Sequence, residues 1–281
     1  MNDFVCAKKY YFFHIPKTAG TSLIQWLHQK ERFSICPAGL WSRLLAVPKE
    51  DLQHYTMFCG HFYRSLSSYL NEPLMTFTFL RNPFDRAFSH YEHIRRNQNH
   101  YFYDRVKEQG SFRAFMEDPV TQPLVKNFQV RALSAMFDPV KISQSLTPTS
   151  NNKHPLEEYL ETADSGMDDS IALLLAKDYL TRCFFVGITE KMQESTDCFS
   201  KKLSVSMKNG TSDKIQESAK WLSKKLRITR EKGVPMLNIN PARRCYATDV
   251  LTIDEWRILA RLVEADWELY EFGLQLLARY K

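Results

Sequence analysis

Lys17 stands in Pro16-Lys17-Thr18-Ala19-Gly20-Thr21-Ser22, a run of small and hydroxyl-bearing residues between an apolar stretch, Tyr10 to Ile15, and a helix-patterned one. Those residue types at that spacing suit the binding of an anion. A buried strand that ends in a tight turn lets successive backbone N–H groups and a helix N-terminus converge on one phosphate-like group. Lys17 adds a point charge, and Thr18, Thr21 and Ser22 add hydroxyl donors. The pattern is not the Gly-x-x-x-x-Gly-Lys-[Ser/Thr] loop of ATPases and kinases. Thr21 takes the lysine's place after Gly20, the first glycine is missing, and Lys17 precedes Gly20. An ordinary Ser/Thr-rich helix start would use the same residue types.

A second unit of the same kind follows. Leu74 to Leu80 is apolar and β-rich, and it runs into Arg81-Asn82-Pro83-Phe84-Asp85-Arg86-Ala87-Phe88-Ser89-His90-Tyr91. Pro83 suits the first turn of a helix, and Phe84, Ala87, Phe88 and Tyr91 recur on one face. Arg81 is then at the strand exit and Ser89 two turns into the helix, where their donors could share one anion. His61, in Cys59-Gly60-His61 at the end of another short apolar run, falls on the same rim and is the best candidate for a general base. His14 precedes the first turn and either faces it or packs as a buried ring. His90 and His93 lie on the second unit's helix and receive no chemical role.

Together these segments resemble the paired signatures of sulfotransferases that use 3′-phosphoadenosine 5′-phosphosulfate (PAPS), in particular the carbohydrate branch that includes heparan sulfate 2-O-sulfotransferase. Pro16 to Ser22 is similar to that family's 5′-phosphosulfate loop, and Arg81 to Tyr91 to its 3′-phosphate segment, at every characteristic position. Phe184 to Glu190 resembles the family's late strand and turn. Leu237 to Arg244 resembles a loop that closes over the nucleotide, and Tyr270 to Gly273 the terminal helix. The resemblance implies a three-layer α/β/α protein with a central, mostly parallel sheet and P-loop nucleotide kinase-like topology. It implies PAPS as cosubstrate, Lys17 stabilising the leaving phosphate, His61 as base, and Pro16 to Ser22, Arg81 and Ser89 as nucleotide contacts. Arg243 and Arg244 are further candidates for the nucleotide, and His14 and Arg131 for the acceptor. Cys59 stands where relatives place another histidine, which puts the acceptor contacts in doubt. A carbohydrate hydroxyl is the expected acceptor. A transferred sulfuryl group carries less charge than a phosphoryl group, so no metal is expected. The competing readings are an ATP- and Mg-dependent small-molecule kinase and a nucleotide-binding module without chemistry.

The chain of 281 residues is 44% apolar, enough for one domain over 1–281, and its net charge of +6 suits an anionic ligand. No dense basic patch points to nucleic acid. No apolar leader or membrane-length run is seen, so a cytoplasmic protein without a membrane span is expected. The six cysteines show no paired or zinc spacing. Residues 141–170, polar and poor in large apolar groups, read as a mobile loop. Arg95 to Gly110 reads as an amphipathic surface helix or the lining of an acceptor cleft. A single long helix is expected from the capping box at Thr252–Glu255 through Leu277, with Trp256 and Trp267 in the core.

Overall fold

Four short apolar runs form one parallel sheet in the order β2-β1-β3-β4, with β1 Tyr10–Phe13, β2 Met57–Gly60, β3 Met75–Leu80 and β4 Phe185–Ile188. The sequence marks the same four runs, Tyr10 to Ile15, Thr56 to Cys59, Leu74 to Leu80 and Cys183 to Gly187, with ends displaced by a residue or two. The computed structural model describes residues 8–29, 33–146, 155–163, 166–208 and 247–280. Strands buried on both faces carry continuous apolar sequence rather than alternation, and every residue of β1, β2 and β4 is buried. Thr78, the one polar side chain deep in β3, donates its hydroxyl to the Phe13 carbonyl at 2.8 Å.

Alternate side chains of β1 meet different layers. Tyr11 and Phe13 pack with Phe62, Tyr63 and, from helix Asp169–Arg182, Tyr179. Phe12 stacks on Phe77, which meets Phe199 of helix Met192–Lys208 on the opposite face. The sheet is thus flanked by helices, the α/β fold expected. The chain leaves β1 for β2 on one side and returns to β3 on the other. The order therefore reverses at β1, where ligands of such sheets bind beyond the carboxyl ends of the strands.

Two helices that carry site residues cap each other. Asn127, in left-handed backbone ahead of helix Phe128–Ser134, accepts from the N–H groups of Ala265 and Asp266 at 3.0 and 3.2 Å. Asp266, buried near the start of helix Glu264–Ala278, accepts from Gln129 and Val130 N–H at 3.1 and 2.8 Å. Each exchange satisfies N–H groups that a helix start leaves unpaired.

Three expectations change. Most of helix Pro139–Ser145 and all of helix Pro155–Thr162 fall within the expected loop 141–170, while 147–154 and 164–165 lie outside the described residues. Asp138 caps the first by accepting from Lys141 N–H at 3.1 Å, and each begins with proline, which suits a helix's first position. Leu156 and Leu160, one turn apart, bury the second. The terminal helix is two, Ile253–Leu262 and Glu264–Ala278, broken at Val263. The capping box at Thr252 and Glu255 is present. Trp267 is 37% exposed, and both it and Trp256 pack on Phe84 beside the second unit rather than in the core. The four described cysteines, Cys36, Cys59, Cys183 and Cys198, are buried free thiols.

Candidate active site

Where β1 ends, Lys17 and Ala19 hold left-handed backbone with φ of 73° and 63°, at about 1–2 kcal/mol each for residues with a Cβ. Left-handed residues interleaved in a turn aim N–H groups into one concavity. Helix Gly20–His28 follows with no side-chain cap and no acidic residue in its first turn, so its N–H groups and positive end suit an anion. The expected set of hydroxyl donors is altered in one respect. Thr18 is buried, and both its hydroxyl and its N–H donate to the Ile15 carbonyl, at 2.9 and 3.3 Å. Its hydroxyl proton holds the turn. Thr21 is exposed, Ser22 is buried, and Pro16 and Lys17 are part-buried. Burial lowers the Lys17 pKa to about 8, helped by the charges of Arg81 and Arg96; at neutral pH it is still a cation.

Gly20 and His14 explain each other. A Cβ on Gly20 would lie 1.9 Å from His14 Nε2, so only glycine lets the ring rest on the cradle. The same ring stacks on Phe12 and meets His61 with centroids 4.5 Å apart. Burial, then His61 and Lys17, push the His14 pKa well below the usual histidine value. His14 is therefore a part-buried neutral ring that rests on the cradle beside His61, so the two readings of it meet: it packs, and it does so at the cradle.

His61 has a defined tautomer. Its Nδ1 lies 2.7 Å from the His14 carbonyl, which can only accept, so Nδ1 carries the proton and Nε2 offers a lone pair. Burial lowers its pKa, while Glu161 and that hydrogen bond oppose the change; the ring is neutral at pH 7. The exit of β2 is fixed on both sides. A Cβ on Gly60 would meet the Gly39 carbonyl at 2.3 Å, and that same oxygen accepts the His61 N–H at 3.0 Å. Tyr11 O–H donates to the Tyr63 carbonyl at 3.1 Å and accepts from Phe62 N–H at 3.2 Å.

At the exit of β3, Arg81 Nη1 donates to the Lys17 carbonyl at 3.0 Å, joining the two units. Gln129, fully buried, grips the Arg81 backbone with both ends of its amide: Oε1 accepts from Arg81 N–H at 3.0 Å and Nε2 donates to Arg81 C=O at 2.8 Å. Glu190, just beyond β4, accepts from Asn82 N–H at 3.0 Å and from Tyr270 O–H at 3.0 Å, and its Oε1 is 4.0 Å from Arg81 Nε. Ser89 is part-buried on helix Pro83–Arg96. That helix's N-terminus is already satisfied: Asn82 Oδ1 accepts from Phe84 and Asp85 N–H. Arg243 and Arg244 lie outside the described residues, as does the Leu237 to Arg244 loop.

Beside the cradle a buried carboxylate organises a histidine wall. Glu161 accepts from Tyr101 O–H, and its Oε1 lies 3.2 Å from His90 Nε2. His90 Nδ1 accepts from Arg86 Nη1 at 3.3 Å, and His100 Nδ1 from Phe102 N–H at 3.2 Å. His90, His100 and Glu161 are close enough to share a metal ion. Their donor chemistry argues otherwise, because a ring whose Nδ1 accepts from an obligate donor keeps its proton on Nε2 and presents N–H, not a lone pair. Burial holds the pKa values of His93 and His100 down to about 4. Arg131 departs from expectation. Its guanidinium donates to the carbonyls of Ala163, Glu161, Pro123 and Lys126, so it joins segments of the fold and is not presented to an acceptor.

Gln129, Glu161 and Glu190 thus bear on the site although sequence gave none of them a role. Glu190 had a signal, since an acidic residue at a strand exit on the ligand rim is unusual beside an anion site. Glu161, in an acidic run with few apolar residues, has none.

Lys17, His61, Arg81 and Glu190 all follow the carboxyl ends of adjacent parallel strands. That layout defines an α/β protein whose strand exits bring a lysine and an arginine to the same rim as a neutral histidine with a free lone pair. The chain belongs to the sulfotransferase family: residues 3–273 match the family described as Sulfotransferase family. It is accordingly a transferase of sulfuryl groups. No curated protein sequence matches it.

Proposed function

We propose that the protein transfers a sulfuryl group from PAPS to an acceptor hydroxyl, carbohydrate being the acceptor class favoured by the resemblance. One observation carries this reading: an uncapped, left-handed cradle holding Lys17, tied through Arg81 Nη1 to a second cationic segment at the neighbouring strand exit. A nucleotide with anionic groups at both its 5′ and 3′ positions needs two such sites, and a 5′-nucleotide needs one.

The chain's own groups supply the steps. Cradle N–H groups and Lys17 bind the 5′-phosphosulfate and stabilise the charge that grows on the bridging phosphate oxygen as the S–O bond to it breaks and the electron pair leaves with adenosine 3′,5′-bisphosphate. Nε2 of His61 accepts the acceptor's proton as the acceptor oxygen bonds to sulfur. His14, through its carbonyl, holds the His61 ring in the required tautomer. Glu161, whose charge raises the proton affinity of His61, favours the imidazolium that results. Lys17 carries the charge a metal supplies in phosphoryl transfer.

Calorimetric titration with adenosine 3′,5′-bisphosphate, and separately with ATP plus Mg²⁺, tests this. Metal-independent binding of the bisphosphate, with adenosine 5′-phosphate at least tenfold weaker, is expected. Preference for MgATP would move the protein to the kinase reading.

A further inference from the structure

Arg81 already has an anion beside it. The Glu190 carboxylate lies 4.0 Å from its Nε, and the two side chains are each about a quarter exposed, at 28% and 25%. Glu190 does not depend on Arg81 to stay there: Asn82 N–H and Tyr270 O–H each hold one of its oxygens at 3.0 Å. Arg81 in turn is fixed at its backbone by Gln129 and at Nη1 by the Lys17 carbonyl. If Arg81 turns its Nε toward a ligand while Nη1 keeps the Lys17 carbonyl, Glu190 still has its two other donors and is not left a buried orphan. The carboxylate remains in place, with its charge, next to wherever an anion would bind.

We infer that Glu190 is a resident counter-anion that Arg81 exchanges for the 3′-phosphate of the nucleotide, which weakens nucleotide binding and eases product release. This rests on the PAPS reading. Glu190 acts through Arg81 and is a positioning residue; it touches no reacting atom. A carboxylate whose task was only to anchor Arg81 would strengthen nucleotide binding, whereas a competing carboxylate weakens it. The sign of the effect therefore separates the two roles.

The experiment compares wild type, Glu190→Gln and Tyr270→Phe by calorimetry with adenosine 3′,5′-bisphosphate and with adenosine 5′-phosphate. Glutamine keeps the shape and an oxygen for Asn82 N–H while removing the charge. The bisphosphate is expected to bind Glu190→Gln about three- to tenfold more tightly, with the 5′-phosphate within twofold of wild type. Tyr270→Phe removes one of the carboxylate's two other donors, leaving Glu190 a stronger competitor for Arg81, and the bisphosphate is expected to bind about two- to fivefold more weakly. Unchanged or weaker bisphosphate binding in Glu190→Gln, an equal gain for both nucleotides, or shifts of the same sign in the two variants would overturn the inference. If wild type does not distinguish the two nucleotides, the PAPS reading falls, and this one with it.

Discussion

β1 and β3 lie side by side, and each runs through a short turn into a helix, yet the two helix starts are chemical opposites. The first has no cap, no acidic residue in its opening turn, and two left-handed residues ahead of it. The second has Asn82 bonded to two of its N–H groups, Pro83 where another would stand, and Asp85 in its first turn. Only the first can offer backbone donors to a ligand. The second must act through side chains, with Arg81 and Ser89 the available donors. One supersecondary unit thus serves as a backbone cradle in one place and as a rigid mount for side chains in the next, and the cap, the proline and the first-turn charge together set them apart.

The largest losses should come from the first unit's rim. His61→Ala removes the proton acceptor and is expected to lower kcat by about 10²–10⁴-fold, with bisphosphate affinity kept within a few-fold. Unimpaired turnover would end the base assignment. Lys17→Ala should cost about 10²–10³-fold in kcat, the range for loss of one donor to a developing oxyanion, and single-turnover kinetics would show the loss in the chemical step. In the second unit, Arg81→Ala should weaken the bisphosphate by about ten- to a hundredfold, the worth of one charge-assisted hydrogen bond, and leave adenosine 5′-phosphate nearly unchanged. Equal loss for both nucleotides would remove the distinction between the two sites.

The pH dependence should show two limbs, one from the first unit and one from the exit of β2. Lys17 is cationic below about 8, so kcat/KM should fall above that pH, approaching tenfold per unit. The opposite limb belongs to His61, which is neutral and active above its pKa. Since burial lowers that pKa, the acid limb should lie below the ordinary histidine value of about 6.5. Lys17→Arg, whose guanidinium does not titrate in this range, should abolish the alkaline limb even where it slows the reaction. An alkaline limb that persists in that variant belongs to another group.

What was legible in the sequence was what is contiguous. Strand, turn and helix follow one another in Pro16 to Ser22 and in Arg81 to Tyr91, so residue type and spacing carry most of their geometry, and His61 could be put on the same rim because parallel strands all point one way. The rest depends on partners far along the chain. Gln129 meets Arg81 across 48 residues and Glu190 meets Asn82 across 108; no local pattern foretells either. Arg131 looked available because nothing in an arginine's neighbours reveals that distant carbonyls will take its donors. Helix Pro155–Thr162 was hidden because two leucines among acidic residues give a weak apolar face, although it delivers the buried Glu161. His14 left both readings open in sequence, and its ring, packed over the cradle's own glycine, combines them.

The smallest expected effect is the most direct test of the contrast between the two units. Asn82→Ala removes the cap and should cost about 1 kcal/mol of stability, read as a lower melting temperature, while the Asn82 N–H to Glu190 is retained. Phe84 and Asp85 N–H groups lose their partner and come to resemble the first unit's open donors. Asp85 still puts a negative charge at that helix end, and its carboxylate still accepts the Ala247 N–H at 2.9 Å, so the uncapped end should not become a new anion site. Bisphosphate affinity should stay within about twofold, since the donors assigned to the nucleotide are side chains untouched by the change. A variant that gained anion binding would mean that the cap alone separates cradle from mount. A tenfold loss of bisphosphate binding would mean that Asn82 itself contacts the nucleotide, and that the second unit uses its helix start after all.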